Sequence, residues 1–66
     1  MKKNIFKVNF IRLRNNENTY GFVRAFTVDE AKQIIINEIA QGNPSLIEIT
    51  SVKTVSEKEF ENAMNS

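Results

Sequence analysis

From Asn4 to Arg14 apolar side chains recur at alternate positions, with Phe6, Val8 and Phe10 on one phase and Ile5, Ile11 and Leu13 on the other. Aromatic and β-branched residues dominate this stretch, which reads as a strand. Asn15-Asn16-Glu17-Asn18 is a polar turn, and asparagine tolerates the left-handed backbone such turns require. Thr19 to Phe26 reads as a second strand. At Thr27 the spacing of apolar residues changes from alternation to about 3.6, so a helix begins there. Thr27 is a good N-cap, and Glu30 three positions on has the reciprocal spacing of a capping box. The helix runs to Gln41, stopped by Gly42 with Pro44 just beyond. Leu46 to Val55 forms a third strand. Ser56 and Glu59 make a second capping box, opening a short helix through Phe60, Ala63 and Met64. The predicted order is ββαβα.

A four-residue loop at 15–18 sets Arg14 opposite Thr19, Phe10 opposite Val23 and Val8 opposite Ala25. The helix stripe Val28, Ala31, Ile35 and Ile39 then covers the Phe6, Val8, Phe10, Val23 and Ala25 side, joined by Ile47 and Ile49. Ala25 and Ala31 are small, which permits close approach at the strand-to-helix corner. After β2 the helix carries the chain back, and a third strand placed beside the first gives a fully antiparallel order 2-1-3. The expected fold is therefore α+β: a three-stranded antiparallel sheet with one helix packed on one face and a short C-terminal helix, over residues 1–66 as a single small domain.

The opposite side of that sheet would carry Ile5, Ile11, Leu13, Tyr20, Phe22 and Phe26, with Lys7, Asn9 and Arg24 among them. The solvent face of an antiparallel sheet is normally polar, and this one is not. Apolar patches on small proteins mark interfaces. Three readings compete: the C-terminal helix folds back over the face with Phe60, Ala63 and Met64; two copies pack face to face as a homodimer; or the face is a binding platform. The candidate partner-binding set is Lys7, Ile11, Arg12, Leu13, Arg14, Tyr20, Phe22, Arg24 and Phe26. Arginine and aromatic residues are the types that dominate interface energetics. A nucleic-acid version of the platform would stack bases on Tyr20, Phe22 and Phe26, with Lys7 and Arg24 on phosphates.

Composition narrows the chemistry. The chain has 66 residues, a small core, and neither Cys nor His. Disulfides, thiolate sites and zinc-type metal sites are thereby excluded, and better packing or self-association is left to stabilise so small a chain. No cofactor is implied. Without His or Cys, acid–base catalysis would fall to carboxylates, Lys or the single Tyr20. Thr27, Ser56, Asp29 and Glu30 are already explained as caps and first-turn acids, so no enzyme activity is expected. Residues 1–24 hold six basic side chains against Glu17 alone, and residues 25–66 hold three against seven acids. The net charge of +1 therefore hides a basic end and an acidic end, an asymmetry that can orient a charged partner. Ile34-Ile35-Ile36 is too short to span a bilayer, and no secretory signal is expected from Met1-Lys2-Lys3-Asn4, which no long apolar stretch follows. A cytoplasmic location is the expectation.

The run Val23-x-Ala25-x-Thr27-x-Asp29-Glu30-Ala31, set between a hairpin and a final strand, resembles the small ββαβ accessory proteins of phages and mobile elements, a group that includes some anti-CRISPR proteins. The likeness covers residues 4–55 and implies a non-enzymatic protein that occludes a surface of a host protein or protein complex. The shared positions are structural, so no functional residue carries over. The Phe26-Thr27-x-x-Glu30-Ala31 corner is also similar to the sheet-to-helix corner of phage-integrase arm-binding domains, which place three strands before the helix rather than two. The expected function is protein interaction, as an inhibitor or adaptor. The alternative is a small nucleic-acid binder using the same face.

Overall fold

The computed structural model describes residues 2–65. Strands β1 (Asn4–Arg12) and β2 (Glu17–Ala25) form a hairpin. Helix α1 (Val28–Ile39) follows, and a single 3-10 turn at Pro44–Leu46 leads into β3 (Ile47–Val55). Helix α2 (Glu57–Asn65) comes last. Both pairings are antiparallel and the strand order is β2-β1-β3, which is the α+β ββαβα arrangement expected.

The cap at Thr27 forms as its sequence implies. The Thr27 hydroxyl accepts from the Glu30 N–H at 3.1 Å. The returning Glu30 carboxylate accepts from the Phe26 N–H at 3.2 Å, one residue earlier than the usual box. At the far end the Ala40 and Gly42 N–H groups both donate to the Ile36 carbonyl. Gln41 and Gly42 take positive φ (53° and 85°), so the chain leaves the helix through two left-handed residues. The Ser56 hydroxyl caps α2 by accepting from the Glu59 N–H at 3.1 Å.

The hairpin register departs from the expected one. Phe10 faces Thr19 rather than Val23, and Val8 faces Gly21 rather than Ala25, because the turn lies at 13–16 with Asn16 left-handed (φ 52°). Leu13 and Arg14 thus belong to the loop and not to β1. The physical reason lies in the sheet as a whole. A turn at 15–18 would leave Asn4, Ile5 and Phe6 without partners on β2 and would start α1 partway along the sheet. The observed register pairs all nine residues of each strand and brings the Thr27 corner to the end of the sheet. The slip is an even number of residues, so every side chain keeps its face.

Phe6, Val8, Phe10, Ala25, Ala31, Ile35, Ala40 and Ile47 form the buried core between sheet and helix. Ala25 and Ala31 are both fully buried, as the close corner requires. Of the expected helix stripe, Ala31 and Ile35 are buried, whereas Val28 and Ile39 at the two ends of α1 are exposed. A bulge between β1 and β3 completes the inner layer. Thr50 is the extra residue, with its hydroxyl donating to the Asn9 carbonyl at 3.2 Å. Before it Ile47 and Ile49 face the core, and after it Val52 does. A strictly alternating strand could not place all three on one side.

Candidate binding face

Lys7, Asn9 and Ile11 of β1, Tyr20, Phe22 and Arg24 of β2, and Glu48, Ser51 and Lys53 of β3 share the sheet face turned away from α1. Helix α2 folds back over one end of it. Phe60 meets Phe22 edge to face at 5.3 Å between centroids, and Arg24 makes a two-pronged contact with Glu57 (2.9 and 3.3 Å) while its guanidinium stacks over Phe60. Ile5 and Val55, register partners on this same face, are buried at this end. No residue of α2 is itself buried, and Met64 is two-thirds exposed. The C-terminal helix therefore covers part of the face through Phe60, without the expected contributions of Ala63 and Met64 to a buried layer.

Beyond Phe60 the face is open. Tyr20 is 52% exposed and stands edge-on to Phe22 at 5.6 Å. The Lys7 ammonium lies 4.5 Å from the centre of the Tyr20 ring, a cation–π contact. Lys7 is also the register partner of Lys53, so two like charges oppose one another at the middle of the sheet. That arrangement is destabilising unless a negative group lies nearby. Asn9 donates to the Ser51 hydroxyl at 3.0 Å and fixes the polar strip between them. Row by row, the face offers aromatic area on β2, cationic groups on β1 and β3, and a half-buried Ile11 at its far margin.

Not all of the candidate residues gather there. Lys7, Ile11, Tyr20, Phe22 and Arg24 do. Arg12 is on the inner phase of β1, 3.7 Å from Glu17. Leu13 and Arg14 lie in the hairpin turn, and Phe26 sits at the Thr27 corner beneath Lys3, whose ammonium is 5.6 Å from the ring centre. Phe22 and Arg24 are partly used up in holding α2. Lys53, Ser51 and the α2 clamp Glu57–Phe60 were missing from the expected set. The alternation of β3 placed Lys53 and Ser51 correctly only once the bulge was known.

The clamp is charge-dependent. The hydrogen bond from Arg24 holds the Glu57 carboxyl below the ordinary glutamate range; desolvation, the next largest effect, opposes this, and the charges of Arg24 and Lys2 reinforce it. The same bond raises Arg24 above its ordinary value. A depressed folded-state pKa means that the contact contributes fully above the unfolded glutamate pKa of about 4.3 and is lost as pH falls through the folded value. Contacts between the Phe22 and Phe60 rings, read by NMR, are expected to persist at pH 7 and to weaken as the pH falls below the unfolded glutamate value. In Glu57→Gln that pH dependence should vanish. Ring contacts in the wild type that ignore pH would contradict this account.

Among the described residues no three His, Cys, Asp or Glu side chains converge into a metal-binding group, and no helix is long and apolar enough to cross a membrane. Comparison with protein-family models, curated proteins and solved structures found no match.

Proposed function

We propose that this chain is a non-enzymatic protein-interaction module that docks through the uncovered half of its outer sheet face. Its role would be that of a phage or mobile-element inhibitor or adaptor occluding a surface of a host protein or complex. The observation that carries the reading is Tyr20, a large ring left half in solvent on a rigid strand. It is flanked by Lys7, whose register partner is Lys53, and neither lysine forms an ion pair among the described residues. An aromatic with its ring plane fixed by neighbours binds at low entropic cost. The opposed lysines favour a partner whose matching surface is acidic.

Affinity capture from a nuclease-treated bacterial lysate, with wild type beside Tyr20→Ser, tests this. The exposed position of Tyr20 should leave the folded spectrum of the variant unchanged. One protein retained in stoichiometric amount by the wild type and lost by Tyr20→Ser is the expected result. Loss of a central aromatic costs about 2 kcal/mol or more, a thirtyfold or greater drop in affinity. Equal retention by both forms would move the interface elsewhere, and return of the bait alone would favour self-association through the same face.

The Lys7–Tyr20 contact also suits the alternative, a nucleic-acid binder that stacks a base on the ring and neutralises phosphates with Lys7 and Lys53. That reading requires capture to fail after nuclease treatment, and affinity for a single-stranded oligonucleotide to fall steeply with added salt.

A further inference from the structure

Helix α1 has 12 residues and spans about 18 Å, whereas the nine-residue strands beneath it extend about 30 Å. The inner sheet face is therefore left uncovered near the hairpin turn, beyond the last turn of the helix. A cleft of about 440 Å³ opens there, lined by Arg12, Arg14, Asn15, Ile39, Leu46 and Ile47. Its size falls within the usual range of small-ligand sites.

The lining divides into two chemistries. Ile47 is a buried floor, while Ile39 and Leu46 leave 37% and 48% of their surface in solvent. Arg12 and Arg14 line the same cleft as this apolar patch. Arg12 has only a long contact to Glu17 (3.7 Å), and Arg14 has no carboxylate partner among the described residues. The last turn of α1 contributes no basic group of its own, so these two arginines are the charged residues of the lining, with Glu17 beside Arg12 and Glu38 preceding Ile39 in the chain. The main chain at Leu46 is already committed: its carbonyl accepts from the Leu13 N–H at 3.1 Å, and its N–H donates to the Asn43 carbonyl at 3.2 Å. An extended peptide thus finds no free backbone to pair with at Leu46.

We infer that this cleft binds a free medium-chain aliphatic carboxylate, its headgroup held by Arg12 and Arg14 and its tail laid on Ile39, Leu46 and Ile47. Guanidinium forks match carboxylate geometry, and their strength grows beside apolar surface that excludes water. The cleft lies on the opposite side of the sheet from Tyr20, so it stands or falls independently of the outer face.

Titration of the isotopically labelled full chain, followed by amide NMR, tests the inference with four probes: octanoate, octanol, acetate and an acetylated dipeptide ending in leucine. Octanoate is expected to shift the amides of residues 13–15, 39–40 and 46–47 saturably, with a Kd on the order of 1 mM, the scale for a ligand of this size in an open site. Octanol lacks the charge and acetate lacks the tail, so each should bind about tenfold more weakly or worse. Arg12→Lys combined with Arg14→Lys keeps the charge at the end of α1 and the folded spectrum, and should weaken octanoate about tenfold by removing the fork. Absence of saturable shifts with octanoate overturns the inference. So does octanol binding equal to octanoate, or a double variant that binds as tightly as wild type. Binding of the dipeptide alone would also overturn it, by identifying the occupant as a protein carboxyl terminus.

Discussion

Phe10→Ala is expected to remove a large share of the stability of the fold. Phe10 is the largest side chain with essentially no solvent contact, at the centre of the inner sheet face beside Val8. Truncating a buried phenylalanine costs about 3–5 kcal/mol, the transfer free energy of the ring plus the cavity left behind. A chain of 66 residues has a total stability of roughly 3–10 kcal/mol at ordinary values per residue. One core ring therefore accounts for a large share of it. No disulfide is present to limit the entropy of the unfolded state. Thermal melts followed by circular dichroism should show the midpoint falling by about 15 °C or more, since each kcal/mol shifts it by several degrees in a chain of this size. A midpoint within about 5 °C of wild type would mean that Phe10 is not the keystone its burial implies. Tyr20→Ser is the matched control, because an exposed substitution on the same hairpin should move the midpoint little.

Face assignment was legible in the residues and register was not, for a reason intrinsic to strands. Alternation constrains a side chain only to one of two sides. Phe6, Val8, Phe10, Val23 and Ala25 could therefore be assigned to the core while their partners were misplaced by four positions. What selects the register is non-local: full-length pairing of β1 with β2, and delivery of Thr27 to the sheet end where α1 can start. The asparagine-rich segment pointed to a turn slightly too late in the chain, because several of its residues suit a turn and only Asn16 takes the left-handed conformation in it. The bulge at Thr50 did leave a trace, in the change of apolar spacing from a step of two residues, Ile47 to Ile49, to a step of three, Ile49 to Val52.

The candidate face was legible in part. Tyr20 and Phe22 alternate with core residues, so their common side follows from the strand period. The Arg24–Glu57 clamp joins residues 33 apart. Nothing in either neighbourhood singles them out, since exposed arginines and helix-surface glutamates are common. The opposed lysines at 7 and 53 became visible only with the β1–β3 register. Charge asymmetry along the chain was legible from the start, but its placement on two separate surfaces required the fold. Lys7 and Lys53 mark the outer face, and Arg12 and Arg14 mark the inner cleft.

Gly21→Val is expected to destabilise the fold through the helix it lies under, and to cost less when introduced together with Ile35→Ala. Gly21 faces Val8 on the inner side of β2, and a Cβ built on it comes within 3.1 Å of Ile35 Cδ1. Alanine at this position asks the Ile35 methyl to yield by a few tenths of an ångström. It also lowers the conformational entropy of the unfolded chain, so the two effects roughly cancel. Valine adds two further methyl groups beneath a side chain that is itself almost fully buried. Overpacking of that kind costs about 1–3 kcal/mol. Ile35→Ala alone opens a cavity and costs about 2–5 kcal/mol, but in the double variant the introduced valine methyls occupy part of the vacated volume. Urea denaturation of wild type, both single variants and the double should therefore give a favourable coupling of about 1 kcal/mol or more between positions in direct contact. Strict additivity would show that β2 shifts away from α1 instead. Gly21 would then be present for the strand, not for the seat it gives the helix.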